Sequence, residues 1–275
     1  MTTRSHFTRR QFVGSLPTAV AAGALAGGGA ASAQVTEPNP NIPVKIVGHK
    51  QVLLILSENF EELEFAAFTS VLSWTHAPYL KDKISPVDVV VAGFDKEVNG
   101  MGSMHVRPDV LVPDLRDEQL DRFDAVAVPA CLGKWIGRKT DKGIKNLQSP
   151  ATHGIVRRIH ARGGIVATMC DGVIALPPEL RGEKCSYWER GKVAAPGEIL
   201  PAGIVVDNRV ITTMGQAVAV PAAVLLLELL CGTDSAQRFV EKSPGLFGLR
   251  AEFVLKVPVL RVAQKRTDRA AGDPR

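Results

Sequence analysis

The residues best placed to do chemistry lie in the run Ile165-Val166-Ala167-Thr168-Met169-Cys170-Asp171-Gly172-Val173-Ile174-Ala175-Leu176. An apolar segment of strand length stops at Cys170, and a helix-like run begins directly after it. Strand, nucleophile and small residue followed by helix is the pattern of a nucleophile elbow, a sharp turn that holds one side chain at the edge of a sheet. Unpaired N–H groups at the start of the following helix are expected to lower the thiol pKa and supply a thiolate. Gly172 permits a close backbone approach. The plain alternative is a buried structural cysteine. Three further cysteines, Cys131, Cys185 and Cys231, are scattered, as are His105, His153 and His160. No pair has the close spacing of a structural zinc site, so no metal is expected. No nucleotide or phosphate motif appears, so no cofactor is expected either.

The elements that must position Cys170 follow from periodicity. Val52–Leu56, Val87–Ala92 and Ala125–Val128 are continuous apolar runs, as in strands of a parallel sheet buried on both faces. Glu62 to about Trp74 has helical spacing, and Ile144–Arg162 is mostly helical with a break near Pro150. Ile204–Thr213 reads as two strands around a turn, and Ala217–Cys231 as an apolar helix closed by Gly232. This alternation predicts an α/β fold: a doubly wound, mostly parallel sheet with helices on both faces, a flavodoxin-like three-layer sandwich. In such sheets the site lies beyond the carboxyl ends of the strands. The loop after the first strand, Pro129–Gly133 and Cys170 would meet there.

At the amino terminus, Thr8-Arg9-Arg10-Gln11-Phe12 matches a twin-arginine export signal, with an Ala/Gly-rich run and a small-x-small site at Ala31-Ser32-Ala33. The expected organisation is a leader over 1–33, an extended lead-in over 34–50, a globular domain over 51–232, an extension over 233–263 and a disordered basic tail over 264–275. Export by the twin-arginine machinery would deliver the folded protein to the periplasm, where thiols within reach can be bridged. The chain has 275 residues, 45% of them hydrophobic, which suits one sizeable α/β domain. Its formal charge of +5 is owed largely to Arg4, Arg9 and Arg10 of the leader and to the basic tail, so no nucleic-acid partner is expected.

Taken together, these segments resemble the ThiJ/PfpI superfamily, which has a class I glutamine amidotransferase-like fold. The resemblance covers roughly Lys50 to Gly232. It rests on Leu53–Glu64 as first strand and acidic loop, Phe123–Pro129 as the strand before a Pro-Gly-Gly loop, Ile165–Leu176 as the elbow, and Asn208–Leu230 as closing strand and helix. It implies an acid from the first loop beside the elbow cysteine: Glu64, with Glu61 and Glu62 as alternatives. It also implies an oxyanion site of backbone N–H groups at Ala130, Cys131 and Asp171, and a homodimer. A carboxyl beside a thiol can exchange a proton with it. Read without the family, Glu64 is a solvated first-turn acid.

Three positions depart from the family pattern. The histidine many members carry after the elbow is missing, and Tyr187 or Trp188 fills its place as a substrate-pocket residue. The His-Pro-Glu pattern of glutamine amidotransferases is absent, so ammonia release from glutamine is not expected. Pro-Gly-Gly reads Pro129-Ala130-Cys131, which puts a thiol on the loop facing Cys170 and offers a resolving partner. Asp171 follows the nucleophile, either as a catalytic carboxylate or as a helix cap. Three functions remain open: a Cys170-dependent enzyme acting on a small carbonyl or related electrophile, a redox or stress protein whose partner is an oxidant, and a non-catalytic binding member.

Overall fold

The structure, a computed structural model, describes residues 42–133, 136–137, 140–180, 184–185, 198–199, 203–243 and 259–261. The expected leader, residues 34–41 of the lead-in, the tail, and Tyr187 and Trp188 fall outside these residues. Twelve strands occur in the described chain: β1 (Lys50–Leu56), β2 (Val87–Gly93), β3 (Val98–Asn99), β4 (His105–Val106), β5 (Val110–Leu111), β6 (Ala125–Val128), β7 (Ile165–Met169), β8 (Lys184–Cys185), β9 (Glu198–Ile199), β10 (Ile204–Asp207), β11 (Val210–Thr213) and β12 (Val259–Arg261). Eight of them form one sheet in the order β12-β10-β11-β7-β6-β1-β2-β5. Every pairing in that sheet is parallel except the β10–β11 hairpin. The sequence expectation of a doubly wound, mostly parallel sheet is met.

The α-helices are α1 (Glu62–Ser73), α2 (Asp117–Leu120), α3 (Lys142–Leu147), α4 (Pro150–Ala161), α5 (Ala219–Cys231) and α6 (Thr233–Lys242). Alternate residues of the strands feed two cores, because successive side chains point to opposite faces. On one face Val52, Leu54, Ala125, Ala127, Ile165 and Ala167 pack with Phe68, Val71 and Leu72 of α1 and the apolar side of α5. On the other, Leu53, Ile55, Val126, Val128 and Val166 pack with Ile155, Val156 and Ile159 of α4. The break near Pro150 is real: Ser149 caps α4 by accepting from the Thr152 N–H at 3.2 Å, and Pro150 fills the first helical position, where its missing N–H costs nothing.

Beyond Gly232 the chain adds α6 and the edge strand β12, which runs parallel to β10. One local expectation is corrected. The run after Cys170 is a single 3₁₀ segment, Cys170–Ala175, and not an α-helix. Pro177 and Pro178 follow at once, and neither can extend a helical ladder, so the turn stays short. The chain reverses its winding between β1 and β6, and the carboxyl ends of β1, β6, β7 and β11 converge there.

Candidate active site

Cys170 sits at the end of β7 with φ of 45°, in the left-handed region that side chains other than glycine rarely adopt. Its neighbours over-determine that conformation. The register pairs Val128 with Thr168 on one side and Met169 with Thr213 on the other. A Cβ on Gly172 would overlap the Val128 carbonyl oxygen, so only glycine lets the elbow approach β6 this closely. Strain held by surrounding structure is a mark of functional turns.

The three candidate acids have three different fates. Glu61 is the N-cap of α1: its Oε2 accepts from the Glu64 N–H at 2.6 Å, and the Gln216 side chain also bonds it. Glu62 turns outward and its Oε1 accepts from the N–H groups of Gly102 (3.1 Å) and Met104 (2.8 Å), fixing that loop. Glu64 points inward and is 0% exposed, so it is not a solvated first-turn acid. Its Oε2 accepts from the Ala130 N–H at 2.8 Å, while its Oε1 is buried without a hydrogen-bond partner. A Cβ on Gly215 would lie 3.8 Å from Cys170 Sγ and 3.9 Å from Glu64 Oε1, so sulfur and free carboxyl oxygen face one small space.

Burial, followed by the charges of Glu61 and Asp171, pushes the Glu64 carboxyl up to about 8, against the Ala130 hydrogen bond that lowers it. Glu64 is therefore mostly protonated at neutral pH and can donate through Oε1. The expectation of a lowered thiol pKa at Cys170 is corrected. Burial first, then Glu64 and Asp171, push it up to about 12, opposed by the Asp171 N–H that bonds the sulfur. A six-residue 3₁₀ turn supplies little dipole, and two acids face the thiol. The Cys131 thiol is 2% exposed and raised still further, mainly by burial.

Of the three backbone groups expected to form an oxyanion site, the Ala130 N–H is already taken by Glu64 and the Asp171 N–H by the Cys170 sulfur, which leaves that of Cys131. Cys131 is bridged to Phe60 of the first loop, and its sulfur faces Gly143 of α3. Cys185 lies in the short β8, paired with β9, and its side chain is outside the described residues, as are Tyr187 and Trp188. The described histidines are engaged elsewhere: His49 and His76 with Asp88, His105 with Asn99, His153 with the Ile174 carbonyl and His160 with the Asn208 carbonyl. Sequence reasoning missed Thr213, Gly215 and Gln216. The available signal was the glycine two residues after the β11 run: Gly215 has φ of 137°, which permits the turn that brings Gln216 to Glu61.

A buried acid, an elbow cysteine and backbone donors at one sheet edge define a class of protein, and the family comparison agrees. Residues 50–228 match the DJ-1/PfpI family, and the chain belongs to it. Among solved structures, it is similar to Drosophila melanogaster DJ-1beta, with 21% identity and a TM-score of 0.55, over 70% of this chain and 97% of that one. Oxidized Toxoplasma gondii DJ-1 gives 20% identity and a TM-score of 0.54, over 70% and 97%. A ThiJ/PfpI domain protein from Brachyspira murdochii gives 17% and 0.51, over 66% and 98%. No curated protein matches the chain. At these identities the neighbours establish the fold alone.

Proposed function

We propose that the protein is a Cys170-dependent enzyme acting on a small carbonyl or related electrophile, as a hydrolase or glyoxalase-like lyase. One observation carries this reading: a fully buried Glu64, protonated at neutral pH, whose unpartnered Oε1 faces the space beside Cys170 Sγ. The sulfur attacks the carbonyl carbon, forming the S–C bond. Glu64 gives its proton to the carbonyl oxygen and receives the thiol proton in exchange. Coupling the two transfers avoids a free thiolate, which the raised thiol pKa disfavours. The Cys131 N–H would support the developing oxyanion, and the Asp171 N–H would hold the attacking sulfur in place. Asp171 is 5% exposed beside the sulfur and would hold water or a polar substrate group. Tyr187 and Trp188 remain proposed pocket residues. The same reading carries the twin-arginine leader, a periplasmic location and a homodimer.

Turnover of methylglyoxal by the native chain, abolished in Cys170→Ser, is the test. An inactive native protein with an unreactive Cys170 would leave a binding member of the family instead.

A redox reading has one observation in its favour: Cys170 is close enough to Cys131 to help raise the Cys131 thiol electrostatically. In that reading a peroxide oxidises Cys170 to the sulfenic acid, releasing water or an alcohol. The Cys131 thiol then displaces water to give a disulfide. Non-reducing peptide mapping after peroxide treatment decides it, and absence of a Cys131–Cys170 link ends it.

A further inference from the structure

At the opposite ends of the strands, a cluster unrelated to the thiol chemistry stands out. We propose that His49, His76 and Asp88 form a binding site for one divalent cation of borderline softness, with zinc(II) the best fit. Among the described residues these three side chains bring one ligand atom each within 4.8 Å of one another. The Asp88 carboxylate presents a different oxygen to each ring: Oδ2 lies 3.1 Å from His49 Nδ1, and Oδ1 lies 3.2 Å from His76 Nε2. Zinc bonds of roughly 2.0–2.1 Å in a tetrahedron place neighbouring ligand atoms about 3.3 Å apart. Each imidazole nitrogen already stands at about that separation from one oxygen of the shared carboxylate. Two imidazoles with one carboxylate favour zinc and its transition-metal neighbours over magnesium or calcium, which prefer all-oxygen sets.

The three anchors are rigid because all belong to the sheet margin. Asp88 lies in β2 opposite Gln51 of β1. His49 directly precedes β1, whose first residue, Lys50, donates its N–H to the Pro86 carbonyl at 2.9 Å. His76 lies in a 3₁₀ turn (Trp74–His76) clamped by Thr75, whose Oγ1 accepts from the Val87 N–H at 2.8 Å and donates to the Leu72 carbonyl at 2.6 Å. The two rings meet edge to face, with centroids 5.5 Å apart. The histidine side chains are 21% and 42% exposed, so an ion and its water can enter from solvent. His76 Nε2 also lies 3.1 Å from the Val87 carbonyl. On metal binding its proton leaves to solvent and a water takes over that carbonyl. Three protein ligands leave a fourth position for water. Seven residues of β1 put the cluster about 20 Å from Cys170, so it is a separate site.

The competing account is an ordinary His49–Asp88 hydrogen bond beside a His76–Asp88 ion pair, with no affinity for metal. Calorimetric titration of zinc(II) into the full chain separates the two. The expected result is one equivalent bound with a raised Tm. Asp88→Asn, which keeps the shape, and His76→Gln, at a half-exposed position, should each weaken binding by more than about tenfold. Cys131→Ser and Cys170→Ser should leave it unchanged. Far-UV circular dichroism confirms that each variant folds. Cobalt(II) should give visible d–d bands without a thiolate charge-transfer band. No zinc uptake, uptake indifferent to both the Asp88 and His76 changes, or uptake lost with either cysteine would overturn the proposal.

Discussion

At the amino-terminal margin of the sheet Asp124 meets Lys45 at 2.7 Å and Lys50 at 3.8 Å, and Asp88 meets two histidines. At the carboxyl margin Glu64 is sealed from solvent with one oxygen unpartnered, and Cys170 is held at positive φ. Charges at the first margin are matched and half-exposed, so each pair adds little beyond solvation. At the second, burial and neighbouring acids push the Glu64 carboxyl and the Cys170 thiol upward, and the strain and the missing hydrogen bond persist only because β6, β7 and β11 hold them. A fold keeps such costs where chemistry uses them. The first margin differs from a bland surface only in drawing two imidazoles onto one carboxylate.

The largest effect that would sharpen this contrast is on turnover. Cys170→Ala should reduce any carbonyl activity to background while leaving the Tm equal or higher, since the strained position loses only its reactive group; retained turnover would break the assignment. Glu64→Gln should lower kcat by about 10²–10⁴. It should also alter stability in a defined pH window. Glu64 is raised from 4.5 to about 8 in the folded chain, so the native state binds the extra proton between those values. Its stabilising contribution is complete below pH 4.5 and is lost as pH rises to about 8. Unfolding free energies of the native protein from urea titrations should fall across that window by an amount on the order of a few kcal/mol, and those of Glu64→Gln should fall less. Equal slopes would mean that Glu64 is ionised throughout.

Gly172→Ala forces a methyl onto the Val128 carbonyl and should destabilise by about 1–3 kcal/mol. Thermal unfolding measures it, and a neutral result would mean the elbow can relax. Asp171→Asn removes one of the charges that raise the Cys170 thiol, so alkylation near pH 8 should quicken; an unchanged rate would show that burial and Glu64, without Asp171, control the thiol. The smallest effect belongs to the paired margin: Lys45→Ala should change stability by no more than about 1 kcal/mol.

Much of this was legible in the chain. The apolar runs at Val52–Leu56, Ala125–Val128 and Ile165–Met169 announce a parallel sheet because buried strands need no polar face. The abrupt change at Cys170-Asp171-Gly172 announces an elbow, and residues 50–228 carry the family pattern. Local sequence could not rank Glu61, Glu62 and Glu64. Their difference comes from what each side chain meets across the fold: a cap, the Gly100–Met104 loop, and the Ala130 N–H. Nor could it show that the Ala130 N–H is taken, that two acids raise the Cys170 thiol, or that His49, His76 and Asp88 gather at one margin. Strand and elbow depend on neighbours along the chain, and a hydrophobic pattern encodes them. Partnership and burial of single polar groups depend on residues dozens of positions away, and the packing of β1, β6 and β7 decides them.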